Sequence, residues 1–174
     1  TIRQQAQQCL EQAVAKASVV LQRGIALPDL SFKQRGRIAG TARLQDYEIR
    51  LNPVLLAENP DEFMREVIPH ELCHLLVWQL YGRGSKKGRI RPHGQEWKAL
   101  MWEIFDLKGS ACHQMDIQSV QGRHFSYRCQ CGPVSLSIRR HNKVRQGVKY
   151  ICRTCRQQLQ TTAAGSLTGT TTYA

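Results

Sequence analysis

The chain has 174 residues, 41% of them hydrophobic, and a formal net charge of +12, enough for one domain of about 110 to 120 residues with a small satellite. It contains no run of about 18 apolar residues and no charged-then-apolar leader, which excludes a membrane-spanning helix and leads us to expect a cytoplasmic, monomeric protein with no membrane partner. Seven cysteines cannot all pair, which argues against a secreted disulfide framework and for metal ligation.

Residues 2–22 place Ile2, Ala6, Leu10, Ala13, Val14, Ala17 and Leu21 at spacings of three and four, which predicts an amphipathic helix ended by Gly24. After Pro28, the pairs Leu30 with Phe32 and Ile38 with Leu44 suggest short strands around Gly36 and Gly40. The clearest strand is Tyr47 to Leu51, where Tyr47, Ile49 and Leu51 alternate with Glu48 and Arg50, and Asn52-Pro53 closes it. Asn59-Pro60-Asp61-Glu62 is a helix start, with a capping residue, a first-turn proline and two acids on the positive end of the dipole. Pro69 removes a backbone donor from that helix, so either a kink or a fresh helix is expected there.

Residues 70–74 read HELCH. On a helix, His70, His74 and Glu71 fall at roughly 0°, 40° and 100°, so two imidazoles can grip one zinc ion while the carboxylate reaches a water on it. Leu72 and Leu76 then point into a core. Cys73 lies near His70 on the helix, where a buried small residue is the simpler reading than a neighbour of the metal. Residues 83–91, RGSKKGRIR, should form an exposed basic loop in which Lys86 and Lys87 would hold a polyanion beside the metal. His93 then offers the third ligand, followed by a helix in which Trp97, Leu100, Met101 and Ile104 share a face and fix His93 against the first helix. Glu96 either orients a ligand imidazole or, more simply, is an exposed acid at a helix start.

Three neutral histidines leave a zinc ion one open position for water, whose pKa falls toward neutrality. Glu71 accepts the proton as the water attacks a peptide carbonyl and passes it to the departing amine, which is peptide hydrolysis. Tyr47, Arg50 and His113 are the candidates for a second oxyanion donor, and none is assigned.

Cys129-x-Cys131 and Cys152-x2-Cys155 are separated by twenty residues and supply four thiolates in two close pairs, enough to close a structural tetrahedral zinc. Val134, Leu136 and Ile138 alternate, His141 to Gly147 reads as a polar turn, and Val148 and Tyr150 alternate into Cys152, which together describe a zinc ribbon. After Asp116 the chain has no acidic residue and nine basic ones, so an anionic partner, nucleic acid first, is expected there, on Arg139, Arg140, Lys143 and Arg145. His141 is a candidate phosphate contact in the same turn. Phe125, Tyr127 and Tyr150 could stack on unpaired bases, although packing the ribbon's small core is the simpler reading.

Taken in order, YEIRLNPVLL at 47–56, VIPHELCHLLVW at 67–78, PHGQEWKALM at 92–101, HQMDIQSV at 113–120 and the closing YRCQC, RRHNKVR and CRTC resemble the SprT family of zinc metalloproteases, related to the Spartan proteases of eukaryotes. The resemblance covers about residues 2 to 159. It implies an α+β, zincin-like metalloprotease domain at 1–116 and a zinc-ribbon subdomain at 117–160, with 161–174 left as a disordered tail. It also implies one catalytic zinc on His70, His74 and His93 with Glu71 as base, and one structural zinc on Cys129, Cys131, Cys152 and Cys155. Spartan relatives degrade proteins attached to DNA, which implies DNA, single-stranded or carrying crosslinked protein, and a protein substrate as partners. The segment between Tyr81 and His93 is longer and more basic than the family leads one to expect. The competing reading is a nucleic-acid-binding zinc protein with little or no proteolysis.

Overall fold

A computed structural model describes residues 1–82, 84, 85, 88–110 and 115–162. The chain forms a mixed α+β structure that divides into two units, Thr1–Val120 and Gln121–Ala174. Met115, Ile117 and Val120 pack on the core of the first unit, which is why it extends to Val120.

In the larger unit, α1 (Ile2–Val20) buries Ala6, Leu10, Ala13, Val14 and Ala17. Three alanines on that face let it lie close against the central helix. Strands β1 (Asp29–Ser31), β2 (Gly40–Arg43) and β3 (Glu48–Leu51) form a sheet in the order β1-β3-β2, with β1 parallel and β2 antiparallel to β3. Ile49 and Leu51 are buried as the alternation requires, while on the other face Arg50 pairs with Glu48 at 2.8 Å. Tyr47 lies just outside the strand with a φ of 51°, and its hydroxyl donates to the Ala26 carbonyl at 2.8 Å.

Asn52-Pro53 does more than close β3. The Asn52 side chain caps α2 (Pro53–Glu58) by accepting from the Val54 and Leu55 N–H groups, and its Nδ2 donates to the Gly36 and Ile38 carbonyls at 2.7 and 3.3 Å. Asparagine at the cap with proline in the first turn is a helix start, and the strand signal before it hid this from the sequence reading.

From Pro60 the chain is helical as far as Tyr81, through α3 (Pro60–Glu62), a π turn (Phe63–Val67) and α4 (Ile68–Tyr81). Asn59 makes no side-chain cap there. The expected break at Pro69 takes the form of the π turn just before it: the Ile68 N–H reaches back to the Phe63 carbonyl. The next donor in that pattern would be Pro69, which has none, and the Met64 carbonyl instead accepts the Cys9 thiol from α1 at 3.2 Å. Helix α4 is the axis of the unit, with Ile68, Leu72, Cys73, Leu75 and Leu76 fully buried.

Residues expected as an exposed loop form a short antiparallel hairpin, β4 (Gly84–Ser85) with β5 (Gly88–Arg89), and Ile90 packs against the core. Lys86 and Lys87 lie outside the described residues. Helix α5 (Gln95–Phe105) buries Trp97, Leu100, Met101 and Ile104 and packs on α4.

In the smaller unit, β6 (His124–Cys129) and β7 (Gly132–Ser137) form a hairpin, and β8 (Gln160–Thr161) pairs with the other edge of β6. The hairpin turns at the first cysteine pair, so the strand pairing expected between the two pairs is not what joins them. The expected polar turn is mostly α6 (Ile138–Arg145), and Val148 to Tyr150 form no strand. His141 and Val144, three apart, give this helix one half-buried face, too little apolar surface to outweigh its charges in a sequence reading. Tyr127, Leu136 and Leu159 are the core, with Phe125 and Tyr150 against it. Thr161, expected in a disordered tail, pairs with Tyr127, and residues 163–174 of that tail lie outside the described residues. Among the described residues no helix is long and apolar enough to cross a membrane.

Replacing Asn52 by alanine would strand two carbonyls and two helix N–H groups, and is expected to cost about 2–3 kcal/mol in denaturant unfolding. Asn59→Ala, which removes one bond to the Leu55 carbonyl, is expected to cost about 1 kcal/mol or less. Equal losses would contradict the role given to Asn52.

Candidate active site and metal centres

Helix α4 projects His70 and His74 from one face, and the turn before α5 brings His93 to meet them. The Nε2 atom of His93 is 3.1 Å from those of both His70 and His74. An ion bound at about 2.0–2.1 Å from each nitrogen in a tetrahedron needs its ligands about 3.3 Å apart, so the three nitrogens could form one face of a metal site. Burial, with His93 as a lesser cause, lowers the His74 pKa to about 4, and burial lowers that of His93. Neutral imidazoles with free lone pairs are what a cation requires.

Beneath them lies Trp97. Its ring centroid is 4.6 Å from that of His70, 5.5 Å from His74 and 4.8 Å from His93, and its indole N–H donates to the His70 carbonyl at 3.2 Å. The sequence pattern placed Trp97 on the core face of α5 but gave no sign of its contact with all three rings.

Glu71 is 6% exposed. Burial raises its carboxyl pKa to about 7, opposed by a hydrogen bond from the Ala42 backbone. A Cβ at Gly40 would stand 2.9 Å from the Glu71 Cγ and 3.1 Å from Val67 Cγ1, so only glycine lets β2 lie this close to the carboxylate.

These groups open onto a cleft of about 1050 Å³ walled by residues 37–46 on one side and by Arg89, Ile90, Arg91 and Pro92 on the other, with Val77 and Trp78 between. Strand β2 is a sheet edge. The Asn52 N–H donates to the Ala39 carbonyl at 2.8 Å, which extends the β2–β3 ladder and directs the alternate backbone groups, those of Gly40 and Ala42, away from β3. Tyr47 and Arg50 do not line this cleft and are held by Ala26 and Glu48; His113 lies outside the described residues. Cys73 is fully buried, and burial pushes its thiol pKa far up, which leaves it an inert packing residue. Glu96 is half-buried in the first turn of α5 and has no hydrogen bond to a histidine among the described residues.

In the smaller unit the sulfurs of Cys129, Cys131, Cys152 and Cys155 all lie within 4.8 Å of one another, with Cys131 and Cys152 4.0 Å apart. A tetrahedral ion at about 2.3 Å from sulfur needs spacings near 3.8 Å. The Cys155 and Thr154 backbone groups draw the Cys152 pKa down to about 6, whereas the Cys155 thiol opposite holds Cys131 up at about 12. Sulfurs this close cannot all ionise without a cation among them.

Arg139, Arg140, Lys143 and Arg145 are exposed on α6. His141 turns the other way: its ring stacks on Phe125 at 3.7 Å and its Nδ1 meets the Tyr127 hydroxyl at 2.8 Å. It is therefore part of the small core, as are Phe125, Tyr127 and Tyr150.

The model of the SprT-like family matches residues 10–116. A protein named Protein SprT from Vibrio parahaemolyticus is 44% identical over 158 residues, 90% of this chain and 92% of the relative. The protein of the same name from Shewanella oneidensis is 42% identical over 159 residues, 91% of this chain and 98% of the relative. That from Escherichia coli is 46% identical over 159 residues, 91% and 93% of the two chains. No solved structure matches the chain significantly. With two potential metal centres built from its own side chains and this similarity along nine-tenths of its length, the chain belongs to the SprT-like family.

Proposed function

We propose that the chain is a zinc-dependent endopeptidase of zincin-like fold that acts on proteins bound or crosslinked to DNA. The observation that carries this reading is the convergence of three imidazole nitrogens, with His93 3.1 Å from the other two, beside a buried carboxyl in a cleft bordered by a sheet edge. A zinc ion held by His70, His74 and His93 supplies Lewis acidity and lowers the pKa of a water. Glu71 would take a proton from the attacking water and pass it to the departing amine, and burial, which raises its carboxyl pKa, favours its holding that proton in between. The Ala42 N–H is taken by Glu71, and the other outward backbone groups of Gly40 and Ala42 bind the substrate as an added strand, so main-chain hydrogen bonds hold it across the site whatever its sequence.

Cys129, Cys131, Cys152 and Cys155 hold a second, structural zinc. It has no open position and does no chemistry, but it stabilises a unit whose buried core is three residues. Nucleic acid is the partner that best suits a net charge of +12 and the exposed cations of α6. Arg89 and Arg91 on the cleft wall would favour the same polyanion near the site. The working form is a cytoplasmic monomer.

Glu71→Gln is expected to lower cleavage of a protein crosslinked to DNA by about 10²- to 10⁴-fold, with the metal retained. The comparison is made on single-stranded and duplex DNA in matched zinc and salt. DNA binding with no cleavage above the Glu71→Gln background would instead favour a binding module.

Metal analysis is expected to give two zinc ions per chain. His70→Ala should lose one and keep the fold, while Cys152→Ser should lose the other and unfold the smaller unit. A single zinc untouched by the cysteine change would remove the structural site from this reading.

Salt titration of DNA binding is expected to show a log–log slope that shrinks by about 0.7–0.9 for each phosphate contact removed by Arg139→Ala, Arg140→Ala or Lys143→Ala. An unchanged slope in the triple variant would place the nucleic acid elsewhere.

A further inference from the structure

We propose that Trp97 is a positioning residue for the histidine centre, its indole a fixed floor that holds three imidazoles at the angles at which their Nε2 atoms meet. The inference rests on the reading that those histidines bind a metal ion. One ring touches all three ligands, which come from two separate segments. It lies nearly parallel to His74, at 22°, and edge-on to His70 and His93, at 65° and 90°. The imidazoles themselves meet at 62–72°, so a shift of the indole would act on every ligand together.

Two further contacts prevent that shift. The indole N–H donates to the His70 carbonyl at 3.2 Å, tying α5 to α4 at the residue that bears the first ligand. Against the six-membered ring stands Gly109, whose φ of +63° favours glycine and whose hypothetical Cβ would lie 2.8 Å from Trp97 Cζ3. With three imidazoles and the Gly109 backbone packed against it, the fully buried ring has little room to tilt. Imidazoles without such support would be free to swing about their side-chain torsions, and immobilising them would weaken metal binding. A tryptophan that only filled the core would still need a partner for its N–H, but it would not need contact with each ligand.

The test compares wild type, Trp97→Phe and Gly109→Ala for zinc affinity by chelator competition and for the visible spectrum of the cobalt-substituted protein. Thermal unfolding of the metal-free chains is recorded in parallel. Trp97→Phe is expected to weaken the histidine site about 10- to 100-fold and to alter its cobalt bands, while the sulfur-to-cobalt charge-transfer band of the cysteine site stays unchanged. Gly109→Ala, whose Cβ would displace the indole, should also disturb the histidine site and serves if Trp97→Phe fails to fold. In the Trp78→Phe/Trp102→Phe background, copper or cobalt should quench the remaining emission as the histidine site fills. Unchanged affinity and cobalt bands in a folded variant, whatever its melting point, would reduce Trp97 to a packing residue. A wild-type chain that takes up metal only at its cysteines would overturn the histidine site as well, and so separates that failure from this one.

Discussion

Three imidazole nitrogens drawn together, with His93 3.1 Å from each of the other two, place a constraint that the larger unit is built to meet. Lone pairs brought this close repel unless a cation or shared protons lie between them, so the arrangement costs free energy until something binds. That cost must be carried by packing elsewhere. Helix α4 supplies it: the helix carries two of the histidines and the buried glutamate, yet five of its other residues are fully enclosed. A helix covered on nearly every side cannot rotate to relieve strain at one face.

The entry to that helix shows how closely covering and chemistry are joined. Pro69 directly precedes His70 and has no N–H to donate, so an ordinary helix would lose a hydrogen bond beside the metal site. The π turn moves the irregularity back to residues 63–67, and the Cys9 thiol takes up the Met64 carbonyl. Cys9 therefore has a partner and a task, although nothing in its spacing from the other cysteines announces one. On the other side of α4, Gly40 allows β2 to approach the Glu71 side chain, and Ala42 binds it. The same edge strand that would hold a peptide thus also holds the Glu71 carboxyl.

What could be read in the sequence was chemistry set by short spacing. His70, Glu71 and His74 are fixed by one turn of helix, and Trp97, Leu100, Met101 and Ile104 disclose their shared face by their period. His93 could be tied to them because a strong amphipathic helix follows it. The misreadings arose where one local signal masked another. Asn52-Pro53 ends a strand and starts a helix with the same two residues. Residues 138–145 present five polar or charged side chains and an exposed Ile138 against His141 and Val144, so the helical period is almost silent, although Ser137 stands where an N-cap residue would. Contacts such as Trp97 on three imidazoles, or Gly109 behind the indole, depend on how segments pack and leave no trace in local spacing.

The two clusters differ in what their surroundings supply. The histidines sit in a unit with an extensive core of its own, so that fold can stand without the ion and the site can keep a face open to the cleft. The cysteines sit beside a core of Tyr127, Leu136 and Leu159, far too small to fix four sulfurs, and two of the four come from a stretch with a single bridge for regular structure. There the ion would have to supply the cohesion that packing does not. An open face and a closed shell would thus follow from how much apolar surface each unit buries: a unit that is stable without a metal could leave one side of a bound ion free.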